Sequence, residues 1–242
     1  MEFLKNKKCI IIGSSGAIGS EFVNQMDSSG ANQIYSFSRT ETSFFSETII
    51  NNDIDITDEA SIQNAALSVA EKGPFDVIIL ATGILYDDDV KPEKALRQLN
   101  KHNFEKIYLV NTIGPALIMK HFSPLLNKND TSLFAVLSAR VGSVEDNQMG
   151  GWYAYRASKA ALNMVMRNTA IEIGRFNKNS IFVSLHPGTV DSHLSEPFKK
   201  NVKPEKLFTA EFAVSNLLNV LSSLTPKDTG NFFAWDGQKI PF

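Results

Sequence analysis

The sequence contains a single cysteine, Cys9, in 242 residues, so no disulfide within the chain can hold the fold. Cys9 sits in the apolar run Cys9-Ile10-Ile11-Ile12, where it reads as a small buried hydrophobe rather than a reactive thiol. Neither sign of charge is in excess. Lysine and arginine number 24 against 26 acids, a net charge of −2, which excludes the basic surface that nucleic acid or an anionic membrane selects. No apolar run approaches the roughly 20 residues that span a bilayer. The run after Lys5, Lys7 and Lys8 falls short of the roughly 7–15 apolar residues of a secretory leader, so a cytoplasmic protein is expected. His102, His121, His186 and His193 show no metal-ligand spacing. Asp87-Asp88-Asp89 reads as a solvated acidic loop, and no metal is expected. Repeats, low-complexity tracts and Pro/Gly-rich linkers are also lacking, so one domain over residues 1–242 is expected, large enough to bury its own core.

What is present is alternation. Short apolar runs at Lys8–Ile12, Gln33–Phe37, Val77–Leu80, Leu133–Leu137, Ser180–Leu185 and Asn231–Ala234 read as strands covered on both faces. Between them, Ile18–Asp27, Asp58–Glu71, Phe104–Phe122, Trp152–Arg175 and Ala210–Leu224 place apolar residues at helical spacing. Thr57-Asp58-Glu59 and Thr209-Ala210-Glu211 read as helix starts, each with a capping hydroxyl and an early acid. The pattern predicts an α/β fold: a Rossmann-type, doubly wound parallel sheet with helices on both faces. Strand order is not readable from it. Ligands of such sheets sit beyond the carboxyl ends of the strands.

The first strand is followed by Gly13-Ser14-Ser15-Gly16-Ala17-Ile18-Gly19 and a helix. Glycines permit a tight turn and close backbone approach to a phosphate, and the helix start supplies free N–H groups. After the second strand comes Ser38-Arg39-Thr40. An acid there would accept from ribose hydroxyls and favour NAD(H), whereas a cation can pair with a 2′-phosphate. NADP(H) is therefore the expected coenzyme, with NAD(H) possible. Tyr155-Arg156-Ala157-Ser158-Lys159 places a phenol and an ammonium four residues apart on one helix face. A neighbouring cation is expected to lower the phenol's pKa from near 10 towards the working range.

With these pieces in place, the chain resembles the short-chain dehydrogenase/reductase superfamily over nearly its whole length, and within it the carbonyl-reductase-like group of C-factor and sniffer proteins. The resemblance is carried by Gly13–Gly19, Asp55-Ile56-Thr57-Asp58, Asn111-Thr112-Ile113-Gly114-Pro115, Tyr155–Lys159 and His186-Pro187-Gly188-Thr189-Val190, in that order. It implies that Tyr155 is the general acid in carbonyl reduction and the base in reverse. Lys159 would bind the nicotinamide ribose, and Asn111 would hold a water in a proton relay. It further implies coenzyme contacts from Gly13, Ser15, Gly16, Ile18, Gly19, Ser38 and Arg39 on one side. Asp55 and Ile56 would flank the adenine, Ala81, Thr82 and Gly83 border the coenzyme, and Pro187, Gly188, Thr189 and Val190 line the nicotinamide. Residues 191–204 would form the substrate lid, with Leu194 and Phe198 as an apolar underside. The partners implied are a small carbonyl or alcohol and further copies of the chain, as a homodimer or homotetramer.

The sequence departs from the family pattern in three places. Ala17 stands where a glycine is usual, and Leu80-Ala81-Thr82-Gly83 replaces Asn-Asn-Ala-Gly. Counting back three from Gly142, the position of the catalytic serine holds Ala139. Ser138 and Ser143 are the available hydroxyls, and Ser138 is favoured. Two other readings of the same motifs remain open: a redox-sensing dinucleotide-binding regulator, and a nucleotide-sugar epimerase or dehydratase, whose chains are usually longer.

Overall fold

The computed structural model describes residues 1–201 and 203–242; Val202, in the expected lid, lies outside them. Among the described residues nine strands form: β1 (Lys8–Ile12), β2 (Gln33–Ser38), β3 (Ile49–Asp53), β4 (Val77–Leu80), β5 (Ser132–Leu137), β6 (Ser180–His186), β7 (Thr189–Val190), β8 (Leu207–Phe208) and β9 (Phe232–Ala234). Seven of them make one parallel sheet in the order β3-β2-β1-β4-β5-β6-β9, while β7 and β8 pair apart from it. The six helices are α1 (Ala17–Ser28), α2 (Glu59–Val69), α3 (Lys101–Tyr108), α4 (Gly114–Phe122), α5 (Tyr153–Ile173) and α6 (Ala210–Ser223). Strand order reverses between β1 and β4, so the crevice beyond their carboxyl ends is the switch point.

Strand periodicity of two divides each apolar run between two cores. On one face Cys9, Ile11, Val77 and Ile79 pack with Phe22 and Met26 of α1 and Leu217 and Leu221 of α6. On the other, Ile10, Ile12, Ile78 and Leu80 pack with Ile62 of α2, Phe122 of α4 and Met166 of α5. Each fully buried Ile, Leu, Met or Phe contributes about 1.5–3 kcal/mol, and this two-sided burial is what the near-continuous apolar strands require.

Three expectations need correction. Strand β3 was not foreseen, because its segment Ile49-Ile50-Asn51-Asn52-Asp53 is polar in its second half and sits half-exposed at the sheet edge. Thr57 does not cap α2; its hydroxyl donates to Asp55, and Asp58 is the cap, accepting from Ala60 N at 3.0 Å. The single helix expected over Phe104–Phe122 is two helices. Asn100 caps α3 three residues earlier, accepting from Asn103 N at 2.9 Å, and a π-helical turn at Leu109–Ile113 separates α3 from α4. Pro115 has no N–H for the carbonyl of Asn111 and its ring crowds that carbonyl, which the wider turn accommodates.

At that junction Gly114 lets α4 touch the α2 approach: a Cβ there would lie 2.4 Å from the Ile56 carbonyl oxygen. Alanine would gain up to about 1 kcal/mol of helix propensity, but overpacking against a backbone atom costs about 1–3 kcal/mol. Gly114→Ala is therefore expected to lower the urea midpoint, by roughly 1–2 kcal/mol of stability; an unchanged or raised midpoint would show that the helix yields freely.

Candidate active site

The turn after β1 is built by glycines with different duties. Gly13 has φ +92°, and a Cβ on it would lie 2.8 Å from the Ala81 carbonyl oxygen. A Cβ on Gly19 would lie 2.1 Å from the Gly13 carbonyl oxygen. Both are demanded by the chain's own packing. Gly16 is different: its Cβ would meet nothing nearer than 3.5 Å, so its bare face is turned to the cleft. It caps α1 with no side-chain hydrogen bond, and no acid stands in the first turn. The helix N-terminus therefore offers its N–H groups and partial positive charge to an anion. Ala17, where a second glycine is usual, is the first residue of the helix and lines the cleft.

Beyond the strand ends lies a cavity of about 400 Å³. Gly16 and Ile18 border it at one end, with Ala81, Thr82 and Gly83 beside them. Ser138, Tyr155 and Lys159 also line it, with Pro187, Gly188, Thr189 and Val190. The hydroxyls of Thr82 and Ser138 are buried without a hydrogen-bond partner, as is that of Ser14 under the glycine turn. A buried hydroxyl left unpaired costs about 1–3 kcal/mol, so these groups fit a polar ligand such as a dinucleotide. The expected coenzyme residues Ser15 and Arg39 are exposed outside the cavity. Ser38 is buried at the end of β2 and donates to Thr40 O. The Asp55 carboxylate accepts from Thr57 N at 2.9 Å and Thr57 Oγ1 at 2.7 Å. These bonds, with a smaller contribution from the nearby Arg39 charge, hold its pKa below the usual carboxylate value. Ile56 is half-buried against the core beside it.

Tyr155 and Lys159 open α5 on one face, the Lys159 Nζ 6.0 Å from the phenol ring centroid. Two glycines make the slot for the lysine. A Cβ on Gly142 would lie 2.7 Å from Lys159 Cβ, and one on Gly83 3.2 Å from its Nζ. Nζ donates to Leu137 O at 2.9 Å. Asn111, fully buried in the π-turn, is a staple: its amide donates to Ile84 O and Ser158 Oγ, and its Oδ1 accepts from Ile84 N. The expected depression of the phenol pKa by Lys159 is not what this environment produces. Burial pushes the Tyr155 phenol up, and pulls Lys159 down to about 8, because a low-dielectric wall penalises both charges. The phenol is held in its protonated form.

The two serines separate cleanly. Ser143 accepts from Asp146 N at 3.1 Å and lies outside the cavity, whereas Ser138 borders it and has a buried hydroxyl without a hydrogen-bond partner.

The family model of the short chain dehydrogenases matches residues 7–203. The chain belongs to this family. It is 31% identical to an uncharacterized oxidoreductase of Schizosaccharomyces pombe over 98% of each chain. It is 30% identical to the C-signal of Myxococcus xanthus over 70% of this chain and 94% of that one. Against 1-hydroxy-2-glutathionyl-2-methyl-3-butene dehydrogenase of a Rhodococcus species it is 31% identical over 76% of each. Among solved structures, the carbonyl reductase Sniffer of Drosophila melanogaster superposes with a TM-score of 0.83 at 19% identity, covering 98% of this chain and 100% of that one. The NADPH-bound carbonyl reductase from chicken fatty liver superposes with a TM-score of 0.81 at 24% identity, covering 99% and 100%. These last two establish the Rossmann-type fold; the family match makes the chain an oxidoreductase.

In this dehydrogenase the remaining wall is aromatic. Trp152 and Phe198 line the cavity with ring centroids 4.8 Å apart, and Leu194 joins them from the segment expected to be the lid. Below, the Phe208 ring packs on Gly188 and on Trp235 at 4.7 Å, which fixes the C-terminal stretch under the Pro187-Gly188 turn. His186 is kept neutral by burial, its pKa near 4. Asp87 and Asp89 converge on Lys106 rather than on a metal, and no cluster of potential ligands exists among the described residues. Sequence reasoning missed Glu93, which is buried at the start of α5. The one available signal was a helix beginning Gly-Gly-Trp-Tyr, with no residue able to cap it.

Lys159 gives a test with a definite sign. Its folded pKa of about 8 lies below the ordinary 10.5, so between these values the unfolded chain binds more protons and stability rises with pH. Below pH 8 the penalty is fully present. Lys159→Met should raise unfolding free energy at pH 7 by about 1–3 kcal/mol, allowing for the Leu137 carbonyl it leaves unpaired. The advantage should shrink as pH climbs from 8 to 10.5 in paired urea titrations. A constant difference across that window would mean Lys159 is not desolvated as described.

Proposed function

We propose that the chain is an NADPH-dependent reductase of aldehydes or ketones, reversible as an alcohol dehydrogenase, with Tyr155 as proton donor. The observation that carries this is a buried, protonated phenol sharing one cavity with an unpaired serine hydroxyl and Lys159, at the switch point of the sheet. The coenzyme would be held by the glycine turn and the α1 N-terminus, with Arg39 near its adenosine end; when bound, it supplies the hydride. The chain's part is positioning and the proton. Ser138 Oγ donates to the substrate oxygen and stabilises charge developing there. Tyr155 Oη delivers the proton, and the ammonium of Lys159 offsets the phenolate left behind. Asn111's side chain is fully engaged, so a relay water would take its main-chain carbonyl, to which Pro115 has no N–H to give.

We place the enzyme in the cytoplasm as a homodimer or homotetramer; Met164 and Ile171, exposed on α5, support a covering copy. That NADPH-bound and carbonyl-reductase chains share the fold supports the coenzyme and the reaction.

The test is oxidation of NADPH and NADH against a panel of aldehydes, ketones and quinones. Tyr155→Phe should abolish turnover, by about 10²–10⁴-fold, while NADPH still binds. Ser138→Ala should cost about 10²–10³ in kcat, with Ser143→Ala near the unaltered rate. No turnover with any carbonyl despite tight NADPH binding would instead favour a redox-sensing regulator.

Coenzyme choice is tested separately. Arg39→Ala should cut the NADPH-to-NADH preference roughly 10- to 100-fold, the worth of a charged hydrogen bond to a 2′-phosphate. An unchanged ratio of dissociation constants would remove Arg39 from the site.

A further inference from the structure

Resting on the carbonyl-reductase reading, we propose that Trp152 is the wall on which a flat aromatic carbonyl stacks beside Tyr155, and that the buried Glu93 is the positioning residue that holds it there.

Three successive residues before α5 have positive φ: Gly150 at +64°, Gly151 at +67° and Trp152 at +49°. Glycine adopts this region freely. A tryptophan does so only where its surroundings enforce it, and such enforcement clusters at functional sites. Here the turn is gripped from both sides. Glu93, 3% exposed, accepts Trp152 N on its main-chain oxygen at 2.5 Å. Its Oε2 accepts Ala154 N at 3.2 Å, and its Oε1 accepts from Asn103 Nδ2 at 3.3 Å. On the other side Arg156 Nε donates to Gly150 O at 3.1 Å and Gly151 O at 3.0 Å. Trp152 has no oxygen with which to cap a helix, so a carboxylate from 61 residues upstream takes that duty. Residue 152 is thereby freed from the choice of Ser, Thr, Asp or Asn, and the position can carry an indole.

The indole is spent on the cavity. It lies edge-on to Tyr155, centroids 6.3 Å apart, and 4.8 Å from Phe198. A flat π-surface beside the proton donor suits an aryl ketone or aldehyde, since offset and edge-on ring pairs are favourable at such separations. The same cavity is lined by the apolar Leu85, Val141 and Leu194, and the guanidinium on its lining, Arg140, is tied to Asp146. The wall therefore offers little to a carboxylate or phosphate, and the substrate class is a neutral aromatic carbonyl.

The experiment compares acetophenone and benzaldehyde with butanal, using NADPH, in the unaltered enzyme and in Trp152→Gly, Trp152→Phe, Glu93→Ala and Glu93→Gln. Trp152→Gly keeps the backbone content with its positive φ and should lower the aryl-to-alkyl ratio of kcat/KM roughly three- to tenfold, mainly through KM. Trp152→Phe should restore most of it. Glu93→Ala should lower the ratio too, although the indole is still present, and Glu93→Gln, which retains an acceptor for Ala154 N–H, should recover part. A second readout needs no Glu93 variant. The chain has two tryptophans, and saturable quenching of their fluorescence by acetophenone should be present in the unaltered protein and largely lost in Trp152→Phe. An aryl-to-alkyl ratio unmoved by folded Trp152→Gly, or equal quenching with and without Trp152, would overturn the inference while the carbonyl-reductase reading stands. Absence of turnover by the unaltered enzyme on every carbonyl would remove that reading, and this inference with it.

Discussion

Everything at the site depends on bringing the start of α5 hard against the carboxyl ends of β4 and β5, so that a phenol and an ammonium share one dry wall. The closeness is set by two glycines that no strand or helix pattern demands. Gly142 leaves 2.7 Å between an imagined Cβ and Lys159 Cβ, and Gly83 leaves 3.2 Å to the lysine nitrogen. A side chain at Gly142 would push the helix outward, and one at Gly83 would crowd the tips of Lys159 and Asn111. Proximity has an electrostatic consequence. Buried together, Tyr155 is held protonated and Lys159 is pulled towards neutrality, because a low-dielectric wall penalises either charge. The fold accepts a desolvation penalty at Lys159 in exchange for that closeness, which is the ordinary tension between stability and activity.

The helix is also held from behind, by devices that act through the backbone. Pro115 forces the π-turn that presents Asn111, and Asn111 then pins the Ile84 main chain, just after Gly83, to Ser158 on α5. One break in a helix thus fixes the loop after β4 relative to α5. Gly114 lets the same turn sit against Ile56, which links the loop before α2 to α5 through contact alone.

Much of this was legible in the sequence because it is local. The strands of the core showed themselves as apolar runs, since burial on both faces allows nothing else. The glycine turn and the Tyr155–Lys159 spacing are likewise local patterns with one geometric meaning. What was not legible depends on partners far along the chain. Strand β3 is half-exposed and polar in its second half, so its pairing with β2 leaves no periodic signature. Glu93 stands in a polar stretch of Lys91-Pro92-Glu93-Lys94 that reads as loop surface, and becomes a buried helix cap only when α3 and α5 close over it. The direction of the Tyr155 shift was missed for the same reason: a nearby cation is visible in the spacing, whereas the depth of burial that outweighs it is not.

The displaced serine follows the same logic. Within a strand, a shift of one residue turns a side chain to the opposite face of the sheet, so a hydroxyl moved from position 139 to 138 ought to point away from the substrate. The regular strand β5 ends just before it, at Leu137. Ser138 N still donates to Leu185 O at 2.8 Å, but the chain then departs into the turn at Arg140–Gly142, and both Ser138 and Ala139 border the cavity. A serine one position along can therefore still border the cavity at a strand's end, provided that the glycine at 142 still brings the following turn against Lys159. The constraint at this corner is on the backbone path, and the side chain that exploits it has some freedom of address.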